Sequence, residues 1–228
     1  MNYYETIILC QPDGEKSCSA CCGLFNFSDI SRENLSRFLE SGAARSSAFL
    51  SSSDITDQGD GSAIRDTTSY ICPHQGLLFN KRPGCLLHPQ YRNASLRHNS
   101  FFGEKICGGF LCPAHSIMTT EQKKTFIRLI DDWYLYSIAV IDPESAVWML
   151  DLLRHRYPIA LQRDEVAKRI LSGMIEIHAR YLNESHGPVF FYSVAEYEIG
   201  KKNISLACDF TDKELQVQEM IDVIESNL

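Results

Sequence analysis

No apolar stretch in the 228-residue chain approaches the roughly 18 residues needed to cross a bilayer. The opening MNYYETIILC has no basic region, and its apolar run is too short for a secretory leader. These absences predict a cytoplasmic protein with no membrane partner. Cationic residues are scarce: 22 Lys and Arg against 29 Asp and Glu leave a formal net charge of -7. That balance excludes a generic nucleic-acid binder, which needs dense Lys and Arg against phosphate. The pairs Lys123-Lys124 and Lys201-Lys202 read as solvated faces. There is no phosphate-cradling glycine loop and no Gly-x-Ser-x-Gly elbow, and Gly59-Asp60-Gly61 lacks the strand and helix context of a nucleotide site. Asp131-Asp132 is a poor metal pair, because neighbouring carboxylates on a helix point about 100° apart. No internal repeat is present. On these grounds the chain is not expected to be an enzyme, although 44% apolar residues are ample for a buried core.

What the chain has is cysteine, unevenly placed. Eight of its nine cysteines (Cys10, Cys18, Cys21, Cys22, Cys72, Cys85, Cys107 and Cys112) precede residue 113, and four lie in the thirteen residues from Cys10 to Cys22. Cys21 and Cys22 are adjacent and cannot easily bridge each other, so their sulfurs need partners elsewhere. In a reducing compartment, clustered thiols signal metal or redox chemistry more often than structural bridges, and the odd total also argues against a disulfide framework. Thiolates are soft ligands that select zinc, Cu(I) or iron-sulfur clusters. The pair Cys18-x-x-Cys21 lets two sulfurs reach one ion from a single backbone turn, and Cys22 extends the grip to a cluster or a second ion. All eight are therefore candidate metal ligands, with zinc first and an iron-sulfur cluster as the alternative; an enzyme using one thiolate as nucleophile is a third reading. His74, His88 and His115 sit within three residues of candidate cysteines and are possible zinc ligands. His98, His155, His178 and His186 read as surface or packing residues.

The pattern predicts an α+β chain in two parts. Residues 1–118 form an irregular, cysteine-rich metal-binding region with short strands, and residues 119–228 a mainly helical module that could carry a protein partner. A strand is expected over Tyr3 to Leu9, and a one-sided helix over Ser31 to Leu39 that stops at Gly42. Residues 43–62, rich in Ser, Ala, Asp and Gly, read as a loop. A two-strand unit over Ile71 to Pro89 turns at Asn80 to Gly84, so that Cys72 and Cys85 face one point. Thr119-Thr120-Glu121-Gln122 starts a helix carrying Phe126, Leu129, Ile130, Trp133 and Ile138, with Trp133, Tyr134, Tyr136 and Trp148 in the core. Asp142-Pro143-Glu144 starts a second helix to Arg156, and a third runs from about Asp164 to Tyr181. Two strands, 189–194 and 203–206, and a helix opened by Thr211-Asp212-Lys213-Glu214 complete the chain.

The opening Cys10, Cys18, Cys21 and Cys22, the following Cys72-Pro73, the run Cys85-Leu86-Leu87-His88 and the last pair Cys107 and Cys112 resemble the cysteine-cluster proteins of the YkgJ type, described as zinc- or iron-chelating domains. The resemblance covers about residues 10–115. It implies a metal- or iron-sulfur-binding module, in some relatives accompanying protein-methylating enzymes; a redox sensor or an accessory to a modifying enzyme is the role that goes with a cluster. Two spacings depart from that family: seven residues separate Cys10 from Cys18, and no Arg-Pro precedes Cys107.

Overall fold

A computed structural model describes residues 7–51, 64–65, 71–79, 81–88, 91, 96–100, 102–185 and 213–228. Within them the chain is mostly helical, with one two-stranded antiparallel sheet, an α+β composition in the broad sense. Among the described residues no helix is long and apolar enough to cross a membrane. The chain groups into two compact units that interleave along the sequence. Unit 1 is Met1–Cys18, Pro113–Tyr181 and Thr211–Leu228; unit 2 is Ser19–Cys112 and Leu182–Phe210.

Unit 1 is built from α4 (Ala114–Ile117), α5 (Thr120–Leu129), α6 (Trp133–Ile141), α7 (Pro143–Arg156), α8 (Asp164–Glu184, as far as Tyr181) and α9 (Lys213–Asn227). Thr119 caps α5 in a reciprocal box with Gln122, as the sequence predicts. The helix expected to run on through Trp133 instead breaks. Ile130 is extended, and Asp132 caps α6 by accepting from the Leu135 N–H at 2.9 Å. The Asp131-Asp132 pair therefore lies between helices: Asp132 is a cap, and Asp131 meets Lys168 at 2.9 Å. Every residue of α6 from Tyr134 to Ile141 is buried, as a helix apolar on all faces must be. It packs against α5 and α7. Trp148 on α7, expected in the core, is exposed, and Lys123, expected on a solvated face, is buried with its ammonium on the His115 carbonyl at 2.7 Å. On α8, Ala167, Ile170, Leu171, Met174, His178 and Ala179 recur at helical spacing and are buried.

Unit 2 holds α1 (Arg32–Glu40), α2 (Gly42–Ser51), β1 (Gln75–Leu77), β2 (Pro83–Cys85), α3 (Glu104–Gly109) and short 3-10 turns at Ala20–Cys22, Leu24–Asn26 and Arg97–Asn99. Ser31 caps α1 by accepting from the Asn34 N–H. Gly42 does not end the helical segment; a second helix, α2, begins there, where a loop was expected over 43–62. A Cβ at Gly42 would lie 2.3 Å from the Gln75 carbonyl oxygen, so glycine is what lets α2 start against β1. The register pairs Gln75 with Cys85 and Leu77 with Pro83. Lys81, at φ 60°, makes the turn.

Most of the strand expected over Tyr3 to Leu9, the strands at 189–194 and 203–206, the Thr211 box, Lys201-Lys202, His186, Cys208 and residues 52–62 lie outside the described residues.

Candidate functional site

The hairpin supplies the first pair of thiols. Gln75 opposes Cys85 across the sheet, and Cys72 lies three residues before Gln75, outside the paired strand. The Cys72 N–H donates to the Cys22 carbonyl at 2.9 Å. The buried Gln75 side chain donates to the carbonyls of Cys22 (2.8 Å) and Cys72 (3.1 Å), tying the 3-10 turn that carries Cys21 and Cys22 to the strand. The Gln75 Oε1 is buried and has no hydrogen-bond partner among the described residues. Arg45 on α2 fixes the strand from the other side. Its guanidinium donates to the carbonyls of Pro73 (3.2 Å), Gln75 (2.8 Å) and Phe38 (2.8 Å) and lies 3.5 Å over the Phe38 ring. A planar five-donor fork suits this clustering of carbonyls.

Five thiols in unit 2 interact: Cys21, Cys22, Cys72, Cys85 and Cys107. A hydrogen bond from Cys22 holds the Cys21 thiol below its ordinary value against the opposing effect of burial. The same bond, then burial, then the charges of Cys21, Cys72 and Cys85 push Cys22 well up. Burial raises Cys72, with Cys85, Cys107 and Cys21 adding to it. Burial also raises Cys85 and Cys107; each is reinforced by another thiol of the group and opposed by the Arg97 cation. Every member of the five is thus within electrostatic reach of others from separate segments. Repulsion among thiolates in a low-dielectric setting is what a cation relieves. All eight described cysteines are free thiols. Among the described residues, no three His, Cys, Asp or Glu side chains are drawn close enough to hold a metal ion as they stand.

The remaining cysteines are placed differently. Cys112 is buried at the end of unit 2, and Cys10 and Cys18 belong to unit 1. There the Cys18 N–H closes a loop on the Cys10 carbonyl at 3.0 Å. Inside that loop Asp13 accepts from the N–H groups of Glu15 and Lys16 and pairs with the Lys16 ammonium at 3.0 Å. Leu9 is pinned at both backbone groups: its N–H donates to His115 Nε2 at 3.0 Å, and its carbonyl accepts from the Tyr136 hydroxyl at 2.9 Å. His115 Nε2 is therefore spent on the backbone. His74 is fully buried with Nδ1 on Ser46 Oγ at 2.9 Å, and burial, reinforced by the Arg45 cation, pushes it down to about 4, so its ring is neutral at pH 7. Burial, with Arg97 and Arg82, also lowers His88.

Sequence reasoning passed over Arg45, Gln75 and Arg97. Arg45 fell in a segment read as loop, while Gln75, between His74 and Gly76, sits in the predicted two-strand unit with nothing in its neighbours to single it out. His178 was read as a surface or packing residue. It is buried at the heart of unit 1, with Nε2 2.9 Å from the Asp142 carboxylate and Nδ1 2.9 Å from the Gln216 amide. Set beside family models, curated proteins and solved structures, the chain matches none of them.

Proposed function

We propose that this protein is a cytoplasmic metal-binding protein that holds zinc, as one or two ions, through cysteine thiolates. Its principal centre is the set Cys21, Cys22, Cys72, Cys85 and Cys107, with Cys10, Cys18 and Cys112 as the further candidate ligands. The observation that carries the reading is the clamping of three segments that bear reduced thiols: the Cys72 N–H donates to the Cys22 carbonyl, the Gln75 amide donates to the carbonyls of both, and Gln75 pairs with Cys85 across the sheet. Thiols so gathered repel one another once ionised, and a soft cation converts that repulsion into binding energy. The donor set fits zinc chemically: the thiols carry no bridges, and the Arg97 cation offsets part of the negative charge that four thiolates leave around a divalent ion. The resemblance to the YkgJ-type proteins supports the same reading.

Elemental analysis of the full chain purified without oxygen is the test. Zinc at about one or two equivalents, lost on Cys85→Ser, supports it. A broad absorption near roughly 400 nm with bound iron would replace zinc by an iron-sulfur cluster on the same sulfurs. Protein free of metal both as purified and after anaerobic reconstitution overturns the proposal.

A further inference from the structure

Cys10 and Cys18 belong to unit 1, apart from the five thiols of unit 2, and the chain brings them together. The Cys18 N–H donates to the Cys10 carbonyl at 3.0 Å, closing a loop of seven intervening residues. Residues joined by such a backbone bond have their Cα atoms roughly 5–6 Å apart, inside the window of about 4.4–6.8 Å that a disulfide spans without backbone movement. Both arms of the loop are anchored. On the Cys10 side, the Leu9 N–H is held by His115 Nε2 and its carbonyl by the hydroxyl of the fully buried Tyr136. On the Cys18 side, Ser17 is fully buried, and the buried Lys16 ammonium pairs with Asp13 at 3.0 Å and lies 3.8 Å from Asp131. The approach of the two residues is therefore fixed before any bond joins their sulfurs, which removes most of the entropic cost of closing a bridge. Both thiols are reduced and partly exposed, so a small solute reaches them. Cys22 and Cys72 share a backbone bond of similar length, 2.9 Å, but there Cys72 is buried.

We infer that Cys10 and Cys18 are a redox pair, oxidised to a disulfide by a hydroperoxide and restored by a dithiol reductant. In the first step one thiolate of the pair attacks the O–O bond of the peroxide and becomes a sulfenic acid, and the departing oxygen takes up the proton that the thiol gave away. The second sulfur then attacks the sulfenic sulfur. The S–S bond forms, and the hydroxyl leaves as water with the proton of the second thiol. Two electrons have passed from the two sulfurs to the peroxide. An external dithiol opens the bridge by thiol–disulfide exchange and is itself left as a disulfide. The inference stands apart from the metal reading, since it uses only these two thiols.

The test uses the full chain, reduced, freed of reductant without oxygen, and treated with stoichiometric hydrogen peroxide. Remaining thiols are blocked with N-ethylmaleimide, and the unreduced chain is cut after Lys and Arg for mass spectrometry. Lys16 lies between the two cysteines, so the bridge joins peptide 1–16, whose one cysteine is Cys10, to peptide 17–32, and fragmentation of the latter separates Cys18 from Cys21 and Cys22. The expected result is a Cys10–Cys18 bridge at least about tenfold more abundant than any bridge from Cys10 to another cysteine, reopened by dithiothreitol. Cys18→Ser is expected to lower the bridging of Cys10 by the same factor, whereas Cys107→Ser leaves the Cys10–Cys18 bridge unchanged. Cys10 joined equally to Cys21 or Cys22 overturns the inference. So does a chain in which both thiols still take N-ethylmaleimide after peroxide, or one in which oxidation ends at a sulfinic acid. None of these results touches the metal reading, which elemental analysis of the same preparation decides separately.

Discussion

In unit 1, α6 is buried along Tyr134 to Ile141 with Ser137 as its one aliphatic polar side chain, whereas unit 2 adds to its own buried apolar residues, Leu24, Phe25, Ile30, Leu35 and Leu87 among them, a set of side chains bonded to backbone carbonyls. The difference is one of cohesion. Both units draw on apolar burial, worth about 1.5–3 kcal/mol for each fully buried aliphatic side chain, and the helices of unit 1 are capped locally by Thr119, Asp132 and Asp142. Unit 2 has a sheet of two three-residue strands, and an isolated hairpin of that size is marginal. Its segments are joined by long-range polar clamps: Arg45 on the Pro73 to Gln75 strand, Gln75 on Cys22, and Arg65 on the carbonyls of Asn183, Leu182 and Ser185 at the end of α8. A region so assembled has most to gain from an ion that joins its segments, because the binding energy of such an ion is folding energy.

On the zinc reading proposed above, the largest way to break the comparison of the two units is to strip the metal. Chelation is expected to cost unit 2 on the order of 10 kcal/mol of apparent stability. Amide hydrogen exchange would then show protection lost across residues 19–51 and 71–112 and retained in α5 to α8. Equal loss in both units, or no loss in either, would contradict the comparison. Next is the apolar core of unit 1: Ile138→Ala, at a fully buried site, is expected to cost about 2–5 kcal/mol in denaturant unfolding without changing metal content. Coupled loss of metal would show that the distinction between the units is wrong. Arg45→Lys comes third, at about 2–3 kcal/mol, because a point-charge ammonium cannot reach the carbonyls of Pro73, Gln75 and Phe38 together and leaves buried acceptors unpaired. A thermal unfolding midpoint equal to that of the unsubstituted chain would show that the guanidinium fork is dispensable.

How much of this was legible in the sequence follows the range of each interaction. Caps act within four residues, so the starts of α5 at Thr119 and α7 at Asp142 read directly from their residue types. The antiparallel pairing that ends at Cys85 was also readable from the turn formers between its arms, although Pro83 and Gly84, expected in the turn, lie in β2. Gly42 misled, since a glycine after a helix looks like a stop while its actual constraint is the carbonyl of Gln75, more than thirty residues on. The neighbouring Ala43, Ala44 and Ala48 are good helix formers, but their Ser and Gly context read as loop until the contact of α2 with β1 gave that helix a partner. Helical spacing from Phe126 to Ile138 hid the break at Ile130, because two helices in near phase show the same apolar recurrence; Asp132, a residue that favours caps, was the available signal. Arg45 and His178 were illegible for the same reason: the partners that matter to the fold, Pro73 and Gln75 for Arg45 and Asp142 and Gln216 for His178, are 28 or more residues away.

The smallest expected effect, and the most specific, concerns a buried polar chain of unit 1. Gln216 donates to His178 Nδ1, which leaves the ring proton on Nε2 to be given to Asp142 Oδ2, while Asp142 also accepts from the Ser145 N–H and hydroxyl. Burial by itself would raise the Asp142 carboxyl, but the bonds from His178 and Ser145 outweigh it and hold the carboxyl below its ordinary 3.8. A carboxylate depressed in the folded state contributes stability that is fully present above the unfolded value and is lost as pH falls through the folded one. Asp142→Asn removes the charge but keeps the helix cap, so it is expected to cost about 1–2 kcal/mol near pH 6. That gap should close as pH falls through the depressed folded value, where the unsubstituted chain also loses the charge. Denaturant midpoints of the two proteins across that range measure it directly. A gap that stays constant with pH would mean the carboxylate serves α7 as a neutral acceptor would, and that the apolar core around His178 holds α8 and α9 together without it.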